Sequence, residues 1–247
     1  MYRTTVVILA CVCFLASPGP AEGQHAPNSL VVAEIQNKLY RAKIPKHGDV
    51  QVSYENGIAT LTGTVDSIGV KEDAVESAEK VDDVTSVVDN ITAHAAGVTP
   101  QQILERARKE IVTYPFYTIF DHVVLRANGD TLTVSGQVTD PFEKEDIGSF
   151  LSHVKGVATL QNDLEVLPVS IFDDQIRLAV ARSIYRDPFF VNYANQALPS
   201  IHVIVKNGDV TLEGVVDSAV AKAKAEADSR FAITYFSLTN NLRVENP

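Results

Sequence analysis

The hydrophobic pattern changes period in the same order three times along the chain. Val31, Ile35 and Leu39 recur four apart, which predicts an amphipathic helix. Val50, Val52 and Tyr54 then alternate, Asn56-Gly57 follows, and Ala59, Leu61, Gly63 and Val65 alternate again. That is the pattern of two strands joined by a tight hairpin turn needing positive φ. Ala74 and Val81, two helical turns apart, mark a second helix, and Val84, Val87, Val88 and Ile91 a last strand. The second pass has Ile103, Ala107 and Ile111, then Asn128-Gly129 and Gly136, then Ile147 and Val154, then Val157, Leu160 and Leu164. The third has Ile176, Val180 and Ile184, then Ile201, Val203 and Val205 before Asn207-Gly208, and Val210, Leu212, Gly214 and Val216 after it. It closes with Ala225 and Ala232, then Tyr235, Leu238 and Leu242. Gly63 and Asn90, Gly136 and Asp163, and Gly214 and Asn241 all stand 27 residues apart. An ungapped spacing held three times means three copies of one folding unit.

The unit reads helix, strand, strand, helix, strand. The fold class is α+β: three tandem αββαβ modules, each a small mixed three-stranded sheet covered by two helices. Their bounds are residues 28–97, 98–168 and 169–247, with short joints at Ala95 to Pro100 and Leu167 to Ser170. Local details are also predicted. The glycine within each second strand leaves a gap on the inner face, where a helix is expected to approach. Asp66, Thr139 and Asp217, three residues further on, are expected to cap the second helices, and Pro141 suits a first helical turn. Copy two has one additional residue between Asn128-Gly129 and Gly136, which predicts a bulge or a longer turn.

Residues 1–23 have a different pattern. A short basic start at Met1-Tyr2-Arg3, an apolar run from Thr4 to Ala16 and small residues at Ala21 and Gly23 make a secretory signal, cleaved near Glu22 or Gln24. A lipoprotein reading is disfavoured because Cys11 lies inside the apolar run. Both cysteines, Cys11 and Cys13, fall in this segment, so the mature chain is expected to carry neither disulfide nor cysteine-bound metal. No later apolar run is long enough to span a bilayer. The formal charge of −10 argues against a nucleic-acid partner. It is spread unevenly, with net values of −5, −4 and −1 over residues 24–97, 98–168 and 169–247. The third copy is least repelled by an anionic surface.

Asn56-Gly57 with Thr60-Leu61-Thr62-Gly63, Asn207-Gly208 with Thr211-Leu212-Glu213-Gly214, and the closing segments ending at Asn90-Ile91 and Asn241-Leu242 resemble the BON family (bacterial osmotically inducible protein Y and nodulation). The resemblance covers nearly all of residues 28–247. Asp83 and Thr234 depart from it where the family usually has glycine, as does the additional residue of copy two. The resemblance implies envelope or periplasmic residence, association with anionic phospholipid, and a role in envelope integrity under osmotic stress. It brings no catalytic residues.

The residues themselves point to no catalysis and no cofactor. His25, His47, His94, His122, His153 and His202 form no ligand pair and none recurs in register, so they read as solvated or packed rather than as a metal site. Glu72, Asp73, Glu76 and Glu79, with Asp82 and Asp83, lack calcium-loop spacing and read as a solvated helix face. The first helix of copy three differs. Arg177, Arg182 and Arg186 are followed by Tyr185, Phe189, Phe190 and Tyr193. Guanidinium groups pair bidentately with phosphate and aromatic rings sit well at headgroup depth, so these seven form a candidate lipid-headgroup patch. The other reading is structural: arginines offset the dipole at the helix C-terminus, and the aromatics fill the core. Related but weaker clusters lie at Arg106, Arg108, Lys109, Tyr114, Phe116 and Tyr117, and at Lys38, Arg41, Lys43 and Lys46.

The expected function is therefore that of an exported, non-enzymatic envelope protein whose partner is an anionic phospholipid surface. The alternative is a periplasmic protein-interaction or chaperone-like module acting on envelope proteins through strand edges or apolar surface.

Overall fold

The structure, a computed structural model, describes residues 27–245, so the signal-like segment, both cysteines and His25 lie outside the described residues. Module one runs α1 (Asn28–Arg41), β1 (Gly48–Glu55), β2 (Ile58–Val65), α2 (Ile68–Glu79) and β3 (Ser86–Ala93). Module two repeats this as α3 (Pro100–Thr113), β4 (His122–Asn128), β5 (Thr131–Val138), α4 (Pro141–Ser152) and β6 (Thr159–Val166). Module three has α5 (Ile171–Tyr185), a short helix α6 (Val191–Ala194), β7 (Ile201–Lys206), β8 (Asp209–Val216) and α7 (Ala219–Arg230). Its last strand comes in two pieces, β9 (Ser237–Asn240) and β10 (Arg243–Val244). In every module the middle strand lies between an antiparallel and a parallel neighbour. The parallel registers agree, with Ile58 opposite Ser86, Thr131 opposite Thr159 and Asp209 opposite Ser237. Arg243 opposite Val215 keeps that register, so β10 continues β9 past a two-residue break.

The predicted stripes are the cores. Val31, Ile35 and Leu39 pack with Ala59, Leu61, Val65, Ala74 and Ala78 in module one, and both other modules repeat this arrangement. Both helices thus cover the same sheet face. The rest of the molecule supplies three corrections to local detail. First, the strand glycines make room for the hairpin partner, not for a helix. A Cβ on Gly214 would lie 2.0 Å from the carbonyl oxygen of Ser200, and Gly63 and Gly136 meet Asp49 and His122 in the same way. Gly214 also has φ +113, which other residues rarely adopt. Second, the helix caps fall one residue later, at Ser67, Asp140 and Ser218. Ser218 accepts the Ala221 amide, and Glu143 reaches back to the Asp140 amide at 2.9 Å. Third, copy two has no bulge. Asn128 pairs directly with Thr131, so the turn is Gly129-Asp130 and the additional residue, Asp130, sits in it while the second strand keeps the length it has in module one.

The modules meet in two different ways. Between one and two, the Gly156 amide donates to Asp66 O and the Ile68 amide to Val157 O, each at 2.8 Å. The Ile68 side chain packs against the core of module two, and His153 reaches Asp73 at 3.0 Å. Between two and three, the Val203 amide donates to Ile119 O at 2.7 Å, while Ile119 and Phe120 lie against the third core. His202 is buried there, its ring 5.7 Å from Tyr117 and 6.0 Å from His122. Its Nδ1 has no hydrogen-bond partner.

Two predictions follow from this packing. Gly214→Ala combines backbone strain with a carbonyl clash, and should cost about 3 kcal/mol or more. Ser218→Ala should cost about 1 kcal/mol, and Asp217→Ala less, so urea midpoints of the three variants should rank in that order. The second concerns pH. Burial pushes the pKa of both His122 and His202 down; at His122 this outweighs the opposing pull of the Glu213 carboxylate, and at His202 the His122 ring adds to it against the opposing pull of Asp121 and Thr118. The docked state therefore resists protonation, and separated modules bind protons more readily. Docking of modules two and three should be at full strength above about pH 6.5 and weaken as the pH falls through the lowered values. Small-angle scattering should show a larger radius of gyration in acid, and His202→Phe should reduce the change to the part that His122 contributes.

Candidate functional site

Helix α5 begins at Ser170, whose hydroxyl accepts the Asp173 amide, and ends at Arg186. Its inner stripe is Ile176, Val180 and Ile184, as the period predicts. The seven candidate residues divide around this stripe, and four of them belong to the core. Arg177 is 5% exposed; its guanidinium donates to Val205 O at 2.8 Å and pairs with Asp174. It braces α5 against β7 and offers nothing to a ligand. Tyr185 is half-buried, its hydroxyl donating to Ile201 O and accepting the Ile201 amide; burial raises the phenol pKa above its usual range. Phe190 is fully buried, with its ring edge-on to that of Tyr193 at 5.5 Å. Tyr193 is buried and accepts the Asp217 amide at 2.9 Å. The aromatics after α5 thus fasten the long connection to the core, as the structural reading has it.

Arg182, Arg186 and Phe189 are exposed. Among the described residues neither arginine makes an ion pair, and the neighbouring acid, Asp187, is paired with Lys224. Phe189 stands edge-on to Phe190 with 5.1 Å between centroids, so an exposed ring is backed by a buried one. At 100° per residue, Ile171, Gln175, Leu178 and Arg182 share the outer face of α5. All four are exposed. The outer face therefore runs from apolar at the N-terminal end to cationic at the C-terminal end.

Sequence reasoning missed the apolar half of that face. Ile171 and Leu178 are seven apart, a two-turn repeat, but the stronger inner stripe masked it. It also missed an apolar tip beyond the helix. Phe172 and Phe236 wall an open groove of about 370 Å³ with Ile176 and Tyr235. The ring of Phe236 lies over Gly208, where a Cβ would meet it at 2.8 Å. Phe231 and Phe236 are 89% and 86% exposed. Asp173 sits under the tip, buried, and accepts the amides of Asn207 and Gly208 at 2.9 and 2.8 Å.

A BON domain model matches residues 28–95, 103–168 and 173–245. The chain belongs to the BON domain family. It comprises three tandem BON domains, and the α5 face and the tip both lie on the third. No curated protein matches the chain. Among solved structures it is similar to CdsD, a structural protein of the type III secretion system of Chlamydia trachomatis. The C-terminal domain of CdsD is 16% identical, with 87% of this chain and 96% of that one covered, at a TM-score of 0.25. A second CdsD structure is 16% identical, with 88% and 93% covered, at a TM-score of 0.26. Among the described residues, no helix of these BON domains is long and apolar enough to cross a membrane.

Burial separates the arginines experimentally. Arg177→Met keeps the aliphatic stem but strands the Val205 carbonyl, and should cost about 2 kcal/mol in chemical denaturation. Arg182→Met and Arg186→Met should each stay within about 0.5 kcal/mol of the parent.

Proposed function

We propose that this chain is a non-enzymatic cell-envelope protein that binds anionic phospholipid reversibly through the outer face of α5. The observation that carries the reading is Arg182 and Arg186, exposed, without acidic partners, and continuous with exposed Leu178 and Phe189. Guanidinium groups engage headgroup phosphate while the apolar side chains rest at the acyl boundary. Membership of the BON family supports membrane association, as does the near-neutral balance of the third module. Export by the N-terminal signal, residence in the periplasm and a part in envelope integrity under osmotic stress belong to the same reading. In it, module three makes the membrane contact, and modules one and two, with more acidic surfaces, face away.

The test is vesicle co-sedimentation. The mature chain should bind phosphatidylglycerol-containing vesicles, bind phosphatidylcholine vesicles weakly, and lose affinity steeply with salt. Each basic group near an anionic surface contributes about 1 kcal/mol. Arg182→Glu with Arg186→Glu should therefore weaken binding by roughly 30-fold or more, with circular dichroism unchanged. A folded double variant that binds like the parent would exclude this face, and a parent that never binds anionic vesicles would exclude the function.

A further inference from the structure

Each hairpin carries an Asn-Gly pair at its turn, and the pairs differ in what holds the glycine nitrogen. In such a pair that nitrogen, once base has taken its proton, can attack the asparagine Cγ. The new C–N bond closes a succinimide ring, and the side-chain nitrogen leaves as ammonia. Water then opens the ring at either carbonyl, leaving aspartate or isoaspartate. The sum is asparagine plus water to acid plus ammonia, and it needs neither enzyme nor oxidant. Glycine favours the reaction because no side chain hinders the attack. The turn must also open locally, since the nitrogen reaches Cγ only by rotation about the asparagine Cα–C bond.

Turns one and three are a matched pair. Asn56 and Asn207 have φ +50 and +54, and Gly57 and Gly208 have φ +85 and +82. Their glycine carbonyls are held alike, by the amides of Thr85 and Phe236 at 2.8 and 2.9 Å. The difference is on the amide side. Gly208 is buried, and its amide and that of Asn207 both donate to the Asp173 carboxylate. Rotation there breaks two charge-assisted hydrogen bonds. The carboxylate oxygen 2.8 Å from the Gly208 nitrogen also opposes the amide anion that the attack requires. Counted from the helix stripe, Asn28 and Pro100 stand where module three has Asp173. Among the described residues, the Gly57 and Gly129 amides have no hydrogen-bond partner. Gly129 is exposed, with open space where a Cβ would stand, and Asn56 and Asn128 are exposed too.

We infer that Asn56 and Asn128 convert spontaneously to aspartate and isoaspartate in the mature chain, and that Asp173 shields Asn207 from the same reaction. Each conversion adds one negative charge. Complete conversion takes the net values of modules one and two from −5 and −4 to −6 and −5, and leaves module three at −1. Ageing thus sharpens the charge difference between the modules and spares the one with the α5 face. The reaction involves no lipid, so it stands or falls apart from the membrane reading.

The mature chain is kept in warm, mildly alkaline buffer and mapped by peptide mass spectrometry over time. Peptides with Asn56 and Asn128 should gain the acid forms. The Asn207 peptide should lag roughly tenfold or more, since its turn opens only by giving up hydrogen bonds to a charged group. In concentrated guanidinium chloride all three should convert at similar rates, because the clamp is gone. Asp173→Asn should bring Asn207 up to the rate of Asn56, its conformational match, with circular dichroism to check the fold. Phe236→Ala uncovers Gly208 but keeps the clamp, and should leave Asn207 slow. Asn207 converting as fast as Asn56 in the folded parent would overturn the inference, as would Asn56 and Asn128 staying intact there. A folded Asp173→Asn variant with Asn207 still slow, or Phe236→Ala releasing Asn207 as fully, would overturn the role of Asp173. Rates in denaturant that keep the folded order would do the same, by assigning that order to neighbouring residues. The comparison within the parent decides the matter even if Asp173→Asn does not fold.

Discussion

Every module depends on a middle strand paired in opposite senses along its two edges. The antiparallel edge closes through a two-residue turn, but the parallel edge cannot, since the chain must travel back the full length of the sheet first. The second helix makes that return, and having made it must bury its apolar face against the strands it joins. The shared register of the three parallel pairs is the mark of this constraint: crossover length, helix length and strand offset are tied together. Close approach of the hairpin strands is the other half. The carbonyls of Asp49, His122 and Ser200 come in where only glycine leaves space.

Much of this was legible from spacing because both periods are long-range regularities of burial. The stripes at Ile35, Ala107 and Val180 and the alternation through Leu61 and Leu212 repeat, and burial follows them. What was illegible depends on a single atom's position. Asp66 and Ser67 are both able caps, and only backbone geometry chooses the serine. The additional residue in copy two looked like a bulge, yet the turn absorbed it by moving along the chain.

The candidate site was legible to the same partial extent. Arg182 and Arg186 are set by helical phase and came out on the surface. Arg177 was misread although its signal was present: Asp173, Arg177 and Ala181 are four apart and flank the inner stripe, and all three are buried. A charge in such a row is a brace between elements. Phe231 and Phe236 lie in a loop, where no period exists to betray their exposure. Repetition was the better guide to one of them, since Phe231 stands where His153 of module two reaches Asp73 of module one.

Asp173 joins these themes. A single buried carboxylate holds both amides of the third hairpin turn from the first turn of α5. Hairpin turns usually absorb displacement, being the most compliant part of a small sheet. Here the turn is clamped to the helix end, so α5 and the β7–β8 hairpin form one stiff lever. A force on the outer face of α5 is carried into the sheet, and through the Val203 amide into module two, without being lost as local bending.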